Sequence, residues 1–157
     1  MKVFTTLLTK TPDTLEHAET VCLSFDERKR GRLKINCSSG NKAGIQIERG
    51  NVLRDGAVLT NEMGQLLLIR ASTEKVSIAH VSDPTLFARG CYHLGNRHVP
   101  LQIGEGFLRY QKDYVLDDML HGLGIHVTHE SAPFEPENGA YAPGTGHGHG
   151  HGHDHEH

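Results

Sequence analysis

The stretch Lys75-Val76-Ser77-Ile78-Ala79-His80-Val81, followed directly by Ser82-Asp83-Pro84, decides the fold. Its apolar and polar residues alternate, which is the pattern of a β-strand. Asp83 then caps a helix, and Pro84 sits where its missing N–H costs nothing. Phe87, Cys91 and Leu94 fall on one face of that helix, and Gly95 is placed to terminate it as the C′ residue. Downstream, Val99-Pro100-Leu101-Gln102-Ile103 and Gly106-Phe107-Leu108-Arg109-Tyr110 pair as a hairpin around Gly104-Glu105. A second helix starts near Asp113, with Val115, Leu116, Met119, Leu120 and Leu123 as its apolar stripe and Gly122 or Gly124 as its end. Ile125-His126-Val127-Thr128-His129 reads as a last strand. The order β-α-β-β-α-β is the split βαβ, ferredoxin-like arrangement, and it occupies residues 74–131.

Residues 1–73 read differently. Thr20–Phe25, Arg32–Asn36, Gly44–Arg49, Ala57–Thr60 and Gln65–Arg70 are short strands. Turn signals separate them at Ser39-Gly40-Asn41, Arg49-Gly50-Asn51, Asp55-Gly56 and Met63-Gly64. Evenly spaced strands with Gly, Asn and Asp turns indicate a β-rich unit. The fold class is therefore α+β: a β-rich N-terminal domain followed by the ferredoxin-like domain. From Ala132 to Gly146 the chain is rich in Pro and Gly and reads as a linker. Residues 147–157 alternate His with Gly, Asp or Glu, a low-complexity pattern expected to be disordered without a ligand.

That tail carries the chemistry. Of 13 His in 157 residues, six lie in it: His147, His149, His151, His153, His155 and His157. Imidazole suits Ni²⁺, Cu²⁺, Zn²⁺ and Co²⁺, and Gly between donors leaves the backbone free to wrap an ion. Asp154 and Glu156 add carboxylates, and no Cys or Met is present to favour Cu(I). Tethered donors exchange an ion quickly, which suits storage and hand-over rather than catalysis. A purification tag is usually an uninterrupted His run; this sequence alternates. Protonation should weaken binding as pH falls through about 6–7.

Among the body histidines, His98 follows Gly95 and precedes Val99-Pro100, which must be extended, so its direction is set by its flanks. One His makes no metal site, but a two-fold axis would bring two copies together. His17, His80, His93, His121, His126 and His129 read as structural. The basic run Arg28-Lys29-Arg30-Gly31-Arg32-Leu33-Lys34 reads as a solvated turn or a protein contact. Asp117-Asp118 reads as a solvated face, since adjacent helical residues do not converge.

Composition narrows the classes further. Net charge is −3, which makes a poor nucleic-acid binder. No apolar run approaches the roughly 18–20 residues a membrane span needs, and the N-terminus lacks a signal peptide's apolar region. Three cysteines without CxxC spacing fit a reducing cytoplasm. No GxSxG, HExxH or P-loop context is present, so no enzyme site is expected. The alternatives are a general Zn/Cu/Ni storage protein or, less favoured, a Zn-dependent hydrolase. The hydrolase needs about three body ligands around an open position, a spacing the body histidines lack.

Tyr92-His93-Leu94-Gly95-Asn96-Arg97-His98, Leu108-Arg109-Tyr110, Asp117-Asp118-Met119-Leu120, Gly122-Leu123-Gly124 and Ala132-Pro133-Phe134-Glu135-Pro136-Glu137 together resemble the urease accessory protein E family. Asp26-Glu27-Arg28-Lys29-Arg30-Gly31-Arg32-Leu33 resembles that family's N-terminal signature. The resemblance spans nearly the whole chain. It implies a homodimeric nickel metallochaperone, with His98 binding Ni²⁺ at the dimer interface and the tail binding further metal. It implies an accessory GTPase and the urease apoprotein complex as partners. Lys112 and Tyr114 stand where some members carry a His-x-His pair, so that second site is not carried over.

Overall fold

A computed structural model describes residues 1–140; the His-rich tail and the last residues of the expected linker lie outside them. The N-terminal unit is built from β1 (Lys2–Phe4), β2 (Thr6–Leu7), β3 (Glu19–Leu23), the short helix α1 (Phe25–Arg28), β4 (Arg32–Asn36), β5 (Lys42–Gln46), β6 (Val58–Thr60) and β7 (Leu66–Ala71). One sheet has the order β1-β5-β4 and the other β2-β6-β7-β3. The alternation in β4 shows why: Leu33 and Ile35 point inward while Arg32, Lys34 and Asn36 face water. Phe4, Leu33, Ile35 and Ile45 from the first sheet meet Val21, Leu23, Leu59, Leu67 and Ile69 from the second in one core. Each such side chain contributes about 1.5–3 kcal/mol on burial.

The second unit follows as β8 (Thr73–His80), α2 (Pro84–Gly95), β9 (Gln102–Gly104), β10 (Phe107–Gln111), α3 (Tyr114–Gly122) and β11 (Thr128–Pro133). Its sheet has the order β11-β8-β10-β9, and every neighbouring pair is antiparallel. Asp83 caps α2 by accepting from Leu86 N–H, and Asp113 caps α3 by accepting from Val115 and Leu116. Ala79, Leu108 and Tyr110 on one face of the sheet pack with Leu94, Leu116, Leu120 and Ile125. The other face of β8 presents Val76 to Phe25, Ala132 and Phe134. The sheet is therefore covered by helices on one side, and on the other the N-terminal unit packs against its Val76 end.

Several sequence expectations change. The last strand begins at Thr128, not Ile125, because Ile125 and Val127 turn into the helix-side core. It then runs to Pro133 opposite Thr73, so the stretch read as the start of a linker is sheet as far as Pro133. Gly95 is the last helical residue rather than the residue beyond the cap. Arg28, read as part of a solvated turn, is 0 % exposed.

Arg28 clasps the two units. Its guanidinium donates to Leu23 O (3.1 Å), Leu53 O (3.2 Å), Phe134 O (2.5 Å) and Glu135 Oε1 (2.6 Å). Glu135 also accepts from Asp55 N–H at 2.9 Å, and Arg54 donates to Pro136 O at 2.7 Å. On the opposite side Glu135 N–H donates to Gln102 Oε1 and Glu137 N–H to Leu101 O. Residues 134–137 thus strap the N-terminal unit to the segment that follows His98. Three other cations of the run, Lys29, Arg30 and Arg32, line a surface groove with Gln46, Ile47 and Arg49.

Candidate metal site

His98 stands exposed at the end of α2. Asn96, Arg97 and His98 each donate a backbone N–H back to Tyr92, Leu94 and Gly95, the last at 3.0 Å. The turn closes with His98 in the left-handed region, at φ 56°, the one non-glycine residue there among the described residues. A side-chain-bearing residue pays about 1–2 kcal/mol for that conformation. Glycine would adopt it freely, yet Gly95 sits three positions earlier in ordinary helical geometry. Buried Leu101 then anchors the chain after Val99-Pro100. The imidazole is consequently aimed outward by a fixed backbone.

No group of three or more His, Cys, Asp or Glu side chains that could hold a metal occurs among the described residues. His98 therefore belongs to no such group of three within the described part of its own chain. The other expected ligands, His147, His149, His151, His153, His155 and His157, lie outside the described residues.

At the start of α3, Lys112 Nζ lies 5.2 Å from the centre of the Tyr114 ring, and Tyr114 meets the His129 ring edge-on at 5.6 Å. Behind them Asp117 is 4 % exposed, which corrects its reading as a solvated residue. It accepts from Tyr110 Oη at 2.6 Å and contacts His129 Nε2 at 2.7 Å. Burial alone would raise the Asp117 carboxyl, but the Tyr110 and His129 contacts outweigh it and hold it below its ordinary value. Burial first, and then the Asp117 carboxylate, push the Tyr110 phenol far upward, so it remains a donor. The sequence concealed this network because its members come from β10, α3 and β11 and carry no local signature. A further pair, His121 and His126, brings two exposed imidazoles to 6.5 Å between ring centres.

Cys22, Cys37 and Cys91 are all unpaired. Cys91 packs half-buried against the helix-side core, and its burial raises the thiol. No described helix is long and apolar enough to cross a membrane.

A sheet-rich unit strapped to an α+β unit, with an imidazole displayed on the turn after the first helix of the second, is the scaffold of a urease accessory protein. The chain belongs to the UreE family: the family's N-terminal domain matches residues 4–72 and its C-terminal domain residues 74–157. It is similar to the urease accessory protein UreE of Pseudomonas putida, 54 % identical over 123 residues that cover 78 % of this chain and 76 % of the relative. The Shewanella halifaxensis UreE is 51 % identical over 77 % of this chain and 70 % of its own. The Vibrio parahaemolyticus UreE is 49 % identical over 80 % and 79 %. Membership makes this chain an accessory chaperone rather than an enzyme, and the hydrolase alternative falls.

Proposed function

We propose that this protein is a nickel metallochaperone that collects Ni²⁺ and delivers it to the urease metallocentre. The observation that carries the reading is His98, exposed and held at φ 56° on a fixed turn in a chain of the UreE family. Backbone strain at a solvent-facing imidazole is a mark of a position kept for its side chain. Two copies of the chain, related by a two-fold axis, would supply two His98 side chains to one ion. In this reading the protein works as a cytoplasmic homodimer. Residues 1–73 form the scaffold and partner-facing domain. Residues 74–131, with the sheet extended to Thr73 and Pro133, form a ferredoxin-like metal-binding domain. The tail, 147–157, gathers ions through His147, His149, His151, His153, His155 and His157 and passes them to His98. The accessory GTPase and the urease apoprotein complex are the recipients. Zn²⁺ and Cu²⁺ compete for the same imidazoles, because donor type alone does not separate them from Ni²⁺.

The test is functional. In cells that assemble urease, deletion of this protein should leave urease inactive at limiting nickel, and excess nickel should restore it. Full urease activity at limiting nickel without the protein would contradict the reading.

A further inference from the structure

The end of α3 is closed by a turn with two bonds. Gly124, at φ +90°, donates to His121 O, and Ile125 N–H reaches back to Leu120 O at 3.0 Å. This is the Schellman pattern, and Ile125 and Leu120 share the core that locks it. The consequence falls on the residues flanking the turn. His121, in the last turn of the helix, and His126, just after pinned Ile125, are both exposed and face each other, with ring centres 6.5 Å apart and planes 33° apart. Five positions of separation would not place two side chains on one helical face; the closed turn does so.

We propose that His121 and His126 form a second metal-binding site, a two-imidazole clip for a borderline divalent cation such as Ni²⁺ or Zn²⁺. Two imidazoles on one tetrahedral ion, with metal–nitrogen bonds of about 2.0–2.1 Å, have ring centres roughly 5 Å apart. Small rotations of two exposed side chains close the remaining gap, while the backbone that carries them stays fixed. The site also lies at the C-terminus of a nine-residue helix, whose dipole favours a cation. No third His, Cys, Asp or Glu joins the pair among the described residues, so water completes the coordination shell. Such a site is weak and exchanges quickly. It binds each ion as neutral imidazoles and releases any protons they carried. It does not depend on the role assigned to His98.

The experiment uses the full chain with assigned imidazole C–H signals in NMR, titrated with Zn²⁺ alone. The His121 and His126 signals should move together along one binding curve, and the His17 and His80 signals should stay fixed. In His121→Ala the midpoint of the His126 curve should move to at least about tenfold higher Zn²⁺, because the second tethered donor is gone. His126→Ala should do the same to His121. Retained dispersion of the amide signals in each variant confirms the fold. The proposal is overturned if His126 follows an unchanged curve in His121→Ala, or if neither ring responds while other histidines saturate.

Discussion

Replacing Arg28 with Met tests the clasp that joins the two units. The thioether fills much of the aliphatic space but removes every donor. Three buried carbonyls, those of Leu23, Leu53 and Phe134, lose their guanidinium hydrogen bonds, and Glu135 loses its 2.6 Å partner. An orphaned buried acceptor costs about 1–3 kcal/mol; Leu23 O keeps Ser72 N–H, so the other two amount to about 2 kcal/mol at the low end. Glu135 is 28 % exposed and keeps Asp55 N–H, so its loss adds about 1 kcal/mol or less. The Met variant no longer buries a charge, which offsets part of the sum. The net expectation is a loss of about 2 kcal/mol, read by urea denaturation as a lower midpoint at unchanged slope. Loosening should also expose the strap, so proteolysis should gain a site near residues 134–140. An unchanged midpoint, within the ~0.5 kcal/mol of an ordinary surface substitution, would refute the claim that this buried arginine holds the units together.

Three other outcomes follow from the geometry. Asp117→Asn should lose about 2 kcal/mol at neutral pH, since hydrogen bonds to a charged acceptor are the stronger kind. The folded carboxyl titrates below its unfolded value, so this stability is fully present above about pH 4 and is lost as pH falls through the folded value. Wild type and variant should therefore converge in acid denaturation series, and a pH-independent difference would contradict the network. His98→Val should destabilise the fold by about 1–2 kcal/mol because a β-branched residue fits the left-handed turn poorly, whereas His98→Asn should melt like wild type. Equal melts for Val and Asn would mean that the turn is not held at positive φ. Leu120→Ala, at a fully buried position facing Ile125, should cost about 2–5 kcal/mol in the same assay.

The parts of this fold that the sequence exposed are those governed by local pattern. Asp83-Pro84 and Asp113 mark helix starts by capping chemistry, and both helices begin there. Leu33 and Ile35 betray β4 by period-two alternation. What stayed hidden depends on distant partners. Arg28 reads as one cation of a solvated run until Phe134 and Glu135, over a hundred residues away, fold over it. Pro133 and Phe134 look like linker because their composition lacks strand signals, yet pairing with Thr73 and packing on Phe25 order them. Asp117 looks like half of a solvated acidic pair, and its burial is set by Tyr110 and His129. His98 was legible as an exposed residue fixed by its flanks, but not its left-handed conformation. Gly95 was the better candidate for that, and the helix uses it as its last residue instead. His121 and His126 look unrelated in sequence because a closed turn, not helical periodicity, brings them together.

In the proposed function His98 binds the cargo ion jointly with its counterpart in a second copy of the chain. Isothermal titration of Ni²⁺ into wild-type and His98→Ala protein, with the oligomeric state measured on the same samples, tests it most directly. A dimer is expected in both cases, with the loss in His98→Ala of one ion per dimer, the tightest bound. A full complement of nickel at unchanged affinity in His98→Ala dimers would contradict it.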